Sequence, residues 1–140
     1  VFTYNGFEVQ TSGNPFTHAI LRGATDRSGR SCPNYHYEDL VAVSEQYHKR
    51  NLDNPAILVD TNHANSGKRY LEQPRIALEV LRSRTHSPSL REMIRGLMIE
   101  SYLAEGSQGP DGTTYGQSIT DPCLGWEQTE ELLMRIAEKV

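Results

Sequence analysis

Three short apolar runs in this chain each stop abruptly at polar chemistry. His18-Ala-Ile-Leu21 stops at Arg22, Ala56-Ile-Leu-Val-Asp60 stops at the small polar residues around His63, and Gly96-Leu-Met-Ile-Glu100 carries Glu100 at its end. Apolar runs this short, bounded by Pro, Gly and polar residues, read as buried strands, and Pro55 marks the start of the second. Between the runs the apolar spacing lengthens to that of a helix. Tyr37 to Arg50 gathers Leu40, Val41, Val43, Ser44 and Tyr47 near one face. Lys68 to Arg84 does the same with Leu71, Ile76, Leu78, Val80 and Leu81, and Pro74 starts or kinks it. A last helix over Trp126 to Val140 turns Leu132, Leu133, Ile136 and Val140 inward.

The connections carry their own signals. Phe2 to Gln10 alternates around Asn5-Gly6, a dipeptide suited to a tight hairpin with positive φ, before Thr11-Ser-Gly-Asn-Pro15 breaks the pattern with Asn14 as a turn residue. Gly23 to Asn34 reads as a loop, and Leu90 to Arg95 as a helical or extended lead-in to the third strand. Ser101 to Gly125, with its repeated glycines, is too long for a simple connection and is expected to be functional. Strands alternating with helices predict parallel β/α units, whose ligand sites lie at the C-terminal ends of the strands. Arg22, His63 and Glu100 all fall there. Three such units form a small open sheet or part of a barrel.

Composition narrows the picture. A chain of 140 residues, 36% hydrophobic and 23% charged, fits one ordinary globular domain. Its net charge of -4, without a basic block, gives nucleic acid no electrostatic footprint. No run approaches the roughly 18 apolar residues of a membrane span, and no secretory leader pattern opens the chain, so the reading is no membrane and a cytoplasmic setting. Cys32 and Cys123 stand far apart in unlike contexts, which fits two free thiols. A first residue Val1, directly in strand-like sequence, leads us to expect a piece of something larger.

His63, Glu100 and Asp121 are ligand types for a divalent metal, and an imidazole with two carboxylates suits manganese, iron, cobalt or zinc better than calcium. Plainer readings stand beside this one. His63 could be a hydrogen-bonded structural residue, Glu100 could bind a rim arginine, and Asp121 could cap the helix at Trp126. Arg22, followed by Gly23, could present its fork to a phosphate or carboxylate or could sit in a rim salt bridge. Asn62, Asn65, Ser66 and Lys68 offer further donors; Lys68 could reach an anion but is read as the first solvated residue of its helix, and Cys123 as a small buried residue rather than a nucleophile. His18, His36, His48 and His86 form no pattern.

Longer strings then become recognisable. TSGNPFTHAILRG, PNYHYEDL, DTNHANSGKRYLEQ, IESYLAEGSQ and YGQSITDPCLGWEQTEELL resemble, in this order from about Val9 to Ala137, the C-terminal portion of the type I 3-deoxy-D-arabino-heptulosonate 7-phosphate (DAHP) synthases. The resemblance implies an α/β fold, the C-terminal half of a (β/α)8 TIM barrel with strands six to eight and their helices after a small β-hairpin. It also implies condensation of phosphoenolpyruvate with erythrose 4-phosphate in the shikimate pathway, dependent on a divalent metal. On matching positions, His63, Glu100 and Asp121 look like metal ligands, Asp121 and His63 like catalytic residues, and Arg22 like a binder of phosphoenolpyruvate.

The departures are as informative. The family's fourth ligand, a cysteine, and its Lys-Pro-Arg-Thr segment for erythrose 4-phosphate belong to the first half of the barrel and are not in this sequence. Cys32 does not replace that ligand, because it follows Ala24 to Ser31, a stretch that looks inserted relative to shorter family loops. A full barrel needs about 250 residues, so residues 1–140 are expected to be one partial domain. Its partners would be the two substrates, the missing N-terminal half and, in the full-length protein, further copies of itself. The isolated chain is expected to be inactive. A non-catalytic anion-binding or regulatory half-barrel is the alternative, and the related 3-deoxy-octulosonate 8-phosphate synthases are a more distant one.

Overall fold

A computed structural model describes residues 1–140. The expected hairpin forms from β1 (Phe2–Tyr4) and β2 (Phe7–Val9), with Tyr4 opposite Phe7. Asn5 and Gly6 both take positive φ, 48° and 79°, as a turn matched to strand twist requires. After β3 (Ala19–Leu21), the predicted loop instead contains an antiparallel pair, β4 (Ala24–Thr25) and β5 (Ser31–Cys32). Asp26 closes it, Oδ1 accepting from Ser28 N and Arg30 N and Oδ2 from Arg30 Nε. The polar composition hid this pair, because an Asp-centred turn supplies from one side chain the order that apolar alternation normally signals.

Helix α1 (Tyr37–Arg50) has the expected bounds, with acids in its first turn and bases in its last, matching the helix dipole. Strand β6 (Ile57–Asp60) leads into α2 (His63–Ser66), a single turn, then a 3-10 turn (Tyr70–Glu72) and α3 (Gln73–His86). The second helix therefore starts later than its pattern suggests. Gly67 and Lys68 take φ of 62° and 60°, which no helix accommodates, and Pro74 sits in the first turn of α3 as the starter. Leu71, expected in the core, lies in the 3-10 turn and is 58% exposed.

The ambiguous lead-in resolves into α4 (Pro88–Met93), capped by the Ser87 hydroxyl accepting from Leu90 N, and β7 (Ile94–Met98). The third strand thus runs ahead of the expected span and leaves Glu100 just past its end. The long glycine-rich segment folds into β8 (Ala104–Ser107) and β9 (Gln117–Ser118), a parallel pair, with bridges from Ser101 to Leu124 and Gly106 to Cys123. Helix α5 (Trp126–Ala137) closes the fold. Leu132 is buried and Ile136 partly so, but Leu133 and Val140 are 53% and 75% exposed, contrary to expectation. Consecutive helical positions point about 100° apart, so Leu132 and Leu133 do not share one narrow face, and Val140 lies beyond the helix end.

The central sheet has the order β3-β6-β7, all parallel. Leu21, Ile57, Val59 and Ile94 form one core with Leu40 of α1, Ile76 and Val80 of α3, and Leu90 and Met93 of α4. Complete burial of each aliphatic side chain there is worth about 1.5–3 kcal/mol. Ile20, Leu58 and Gly96 are partners in register on the other face, where Ile20 is 43% exposed. Helices thus cover one face, and the aligned register brings the C-terminal ends of all three strands to one edge.

Candidate metal centre

His63, Glu100 and Asp121 arrive at that edge by different routes. Asp60 ends β6, and His63 follows within one tight turn at φ 44°, a left-handed conformation that a non-glycine residue adopts at a cost of about 1–3 kcal/mol. The turn is held by its own backbone: the His63 carbonyl accepts from Gly67 N and Lys68 N. Asp60 is fully buried, and its Oδ2 accepts from His63 Nδ1 at 2.7 Å while Oδ1 accepts from Asn62 N at 2.8 Å. The imidazole is therefore held with Nε2 facing outward. That nitrogen lies 3.2 Å from Glu100 Oε1 and 3.6 Å from Asp121 Oδ2.

Glu100 stands beyond β7, where ladder pairing has ended, and side chains take over the ladder's work. Gln73, completely buried at the start of α3, donates from Nε2 to Glu100 O at 2.9 Å and accepts Glu100 N on Oε1 at 2.8 Å. Thr61 Oγ1 lies within donating distance of the same Gln73 oxygen. Asn62 Nδ2 donates to Glu100 Oε2, which aims the carboxylate. Asn62 and Gln73 are neutral amides, so they fix the glutamate without competing for its charge.

Asp121 comes from the loop between β9 and α5. Its Oδ1 accepts from Lys68 Nζ at 2.9 Å, and this hydrogen bond, more than the nearby charges of Lys68, His63 and Arg22, holds its carboxyl below the ordinary value of 3.8. Lys68 is thus not simply solvated: its side chain is 64% exposed, but its end is engaged. Asp121 does not cap α5, where Gly125 is the cap residue, and Glu100 has no arginine partner among the ion pairs. Cys123 is buried, as expected, and burial pushes its thiol up; Cys32 is likewise free.

Arg22 leaves the end of β3 exposed and in none of the ion pairs. Its loop is nevertheless anchored. Asn65, buried in α2, donates to Leu21 O at 3.0 Å and Asp60 O at 2.8 Å, and accepts from Asn34 N, whose own side chain accepts from Gly23 N. Gly23 is required here: φ is 72°, and an added Cβ would lie 2.9 Å from the Ala64 carbonyl carbon. Arg22 and His63 are thereby tied through one amide.

The donor atoms of His63, Glu100 and Asp121 lie within 4.8 Å of one another. Ligand atoms at about 2.1 Å from a divalent ion stand about 3.0–3.5 Å apart, so small adjustments of these side chains would place all three on one cation. The chemistry of the set, one imidazole nitrogen and two carboxylates, fits a first-row divalent ion. Asp60 and Gln73 escaped the sequence reading, whereas Asn65 was expected as a donor near His63 and serves instead to anchor the backbone of both strand ends. The only signals were Asp60 three positions before His63 and an uncharged Gln at a helix start.

The chain matches the family described as the DAHP synthetase I family over residues 2–134. It is 40% identical over 134 residues to the Trp-sensitive phospho-2-dehydro-3-deoxyheptonate aldolase of Escherichia coli (strain K12), covering 94% of this chain and 36% of that protein. It is 41% identical over 135 residues to the phospho-2-dehydro-3-deoxyheptonate aldolase of Haemophilus influenzae, covering 94% of this chain and 35% of the relative. The solved structure of phospho-2-dehydro-3-deoxyheptonate aldolase from Francisella tularensis SCHU S4 matches with a TM-score of 0.79 at 34% identity, covering 93% of this chain and 36% of that one. The chain thus spans little more than a third of the length of the curated relatives it matches.

Proposed function

The chain belongs to the DAHP synthetase I family, and from that premise we propose that it is the C-terminal half of a (β/α)8 barrel in a 3-deoxy-7-phosphoheptulonate synthase. The reaction joins C3 of phosphoenolpyruvate to the aldehyde carbon of erythrose 4-phosphate, adds water at C2 and releases phosphate. The observation that carries this reading is the convergence of His63 Nε2, Glu100 and Asp121 within 4.8 Å at the C-terminal ends of parallel strands. That is where β/α enzymes place their chemistry.

His63, Glu100 and Asp121 would hold a divalent ion of manganese, iron, cobalt or zinc, which supplies Lewis-acid polarisation of the acceptor's aldehyde oxygen. The chain's own residues do the rest. Arg22, exposed beside the site, holds the anionic donor through its guanidinium fork. Asp121 is the most exposed of the three side chains, at 30% against 25% for Glu100 and 18% for His63, so it is the carboxylate placed to move a proton. Asp121 and His63 are then the catalytic pair, and Glu100 is a ligand.

Alone, the chain offers three parallel strands with two free edges and an uncovered face carrying Ile20, so we expect it to lack turnover. The test measures phosphate release with manganese, phosphoenolpyruvate and erythrose 4-phosphate, before and after adding a separately made N-terminal half. Turnover only on mixing is the expected result. A folded complex with no turnover and no metal affinity would instead favour a non-catalytic anion-binding remnant.

A further inference from the structure

We infer that Asp60 is the positioning residue that fixes the ring of His63 so that Nε2, and not Nδ1, is presented to the metal. The inference rests on the metal reading above and deepens it. Asp60 is wholly buried, and a buried carboxylate is tolerated only where donors satisfy it. Its two oxygens have separate tasks: Oδ1 takes Asn62 N at 2.8 Å, and Oδ2 takes His63 Nδ1 at 2.7 Å. Asp60 is not among the three clustered donors and lies on the Nδ1 side of the imidazole, opposite Nε2 with its contacts to Glu100 and Asp121. An ionised carboxylate only accepts, so Nδ1 keeps its proton and Nε2 carries the lone pair that a metal takes.

The substitution Asp60→Asn separates this role from mere support. The amide oxygen stays on Asn62 N, which leaves the NH2 group facing Nδ1. A donor there requires Nδ1 to accept, and the ring proton moves to Nε2, into the metal position. Asp60→Ala removes both bonds and leaves the ring free to choose. Asp60→Asn should therefore bind metal more weakly than Asp60→Ala, although it disturbs the fold less; a structural residue would give the opposite order.

The experiment titrates zinc into the full chain by calorimetry, with urea unfolding of each variant alongside. Long-range nitrogen-proton NMR of His63 is recorded in the zinc-loaded unmutated chain, the ring being assigned by its loss in His63→Gln. Expected are zinc on Nε2 with Nδ1 protonated, and affinity reduced about 10–100-fold in Asp60→Asn. Zinc on Nδ1, or unchanged affinity in Asp60→Asn, overturns the inference and leaves the metal reading standing. No zinc binding by the unmutated chain overturns the metal reading and this inference with it.

Discussion

The carboxylates of Glu100 and Asp121 both face His63 Nε2, yet they are held there in contrasting ways. Glu100 is fixed through its backbone by the buried amide of Gln73 and through its side chain by Asn62. Asp121 hangs from a loop, and the one hydrogen bond to its carboxylate comes from the largely exposed Lys68. Buried, fully paired amides define one geometry, because any departure leaves a polar group unpaired away from water. A surface ion pair rearranges at little cost. The site thus combines a preorganised arm, His63 with Glu100, and a compliant arm, Asp121, which would suit the proposed double role of Asp121 as ligand and proton carrier.

The sharpest way to break the comparison is Gly23→Ala, at the anchor of the fixed arm. The added methyl meets the Ala64 backbone at 2.9 Å, and φ of 72° disfavours any Cβ. Together these should destabilise the chain by about 2–4 kcal/mol, read as a lowered urea midpoint. If stability is unchanged, the clasp between the Arg22 loop and α2 is looser than described.

Gln73→Leu keeps the volume and removes the hydrogen bonds to Glu100 N and O. A loss of about 2–3 kcal/mol is expected, with weaker metal binding measured by calorimetry. Equal metal affinity in this variant would show that the glutamate needs no backbone anchor.

On the compliant side, Lys68→Met should cost less than about 1 kcal/mol, because the lysine is mostly solvated. The same change should return the Asp121 carboxyl towards 3.8, followed by carbon NMR of its titration. The sign is fixed by linkage: a carboxyl held low in the folded state stabilises it above its unfolded value. That contribution fades as pH falls through the lower folded value, below 3.8. The acid limb of unfolding should therefore lose this part of its pH dependence in Lys68→Met.

The smallest effect on stability is expected for Arg22→Met, within about 0.5 kcal/mol, since the side chain is exposed and unpaired. Its effect on phosphoenolpyruvate should be larger, about 10-fold or more in affinity, because a charge-assisted fork is lost. Unaltered binding by NMR titration would remove Arg22 from the site.

Much of this was legible in the sequence, and for identifiable reasons. The strands β3 and β6 and helix α1 follow from uninterrupted apolar patterning, and the hairpin from Asn5-Gly6. The pattern failed where polar side chains shape the backbone. Asp26 closes β4 on β5, and the left-handed Gly67 and Lys68 delay α3 and leave Leu71 exposed. In α5, apolarity alone did not separate the buried Leu132 from the exposed Leu133.

The sequence by itself determined the alternation of strands and helices, the family, and that Arg22, His63 and Glu100 fall near strand ends, because periodicity and motifs are local. The family motif already grouped Asp121 with His63 and Glu100, and only the tertiary structure decided that Lys68 holds its carboxylate. It alone decided that Asp60 aims the imidazole and that Gln73 and Asn65 lock the backbone around it. These are contacts between segments distant in the chain or set by one unusual turn, and a hydrogen bond depends on ångström-scale distance and direction, which residue order does not encode.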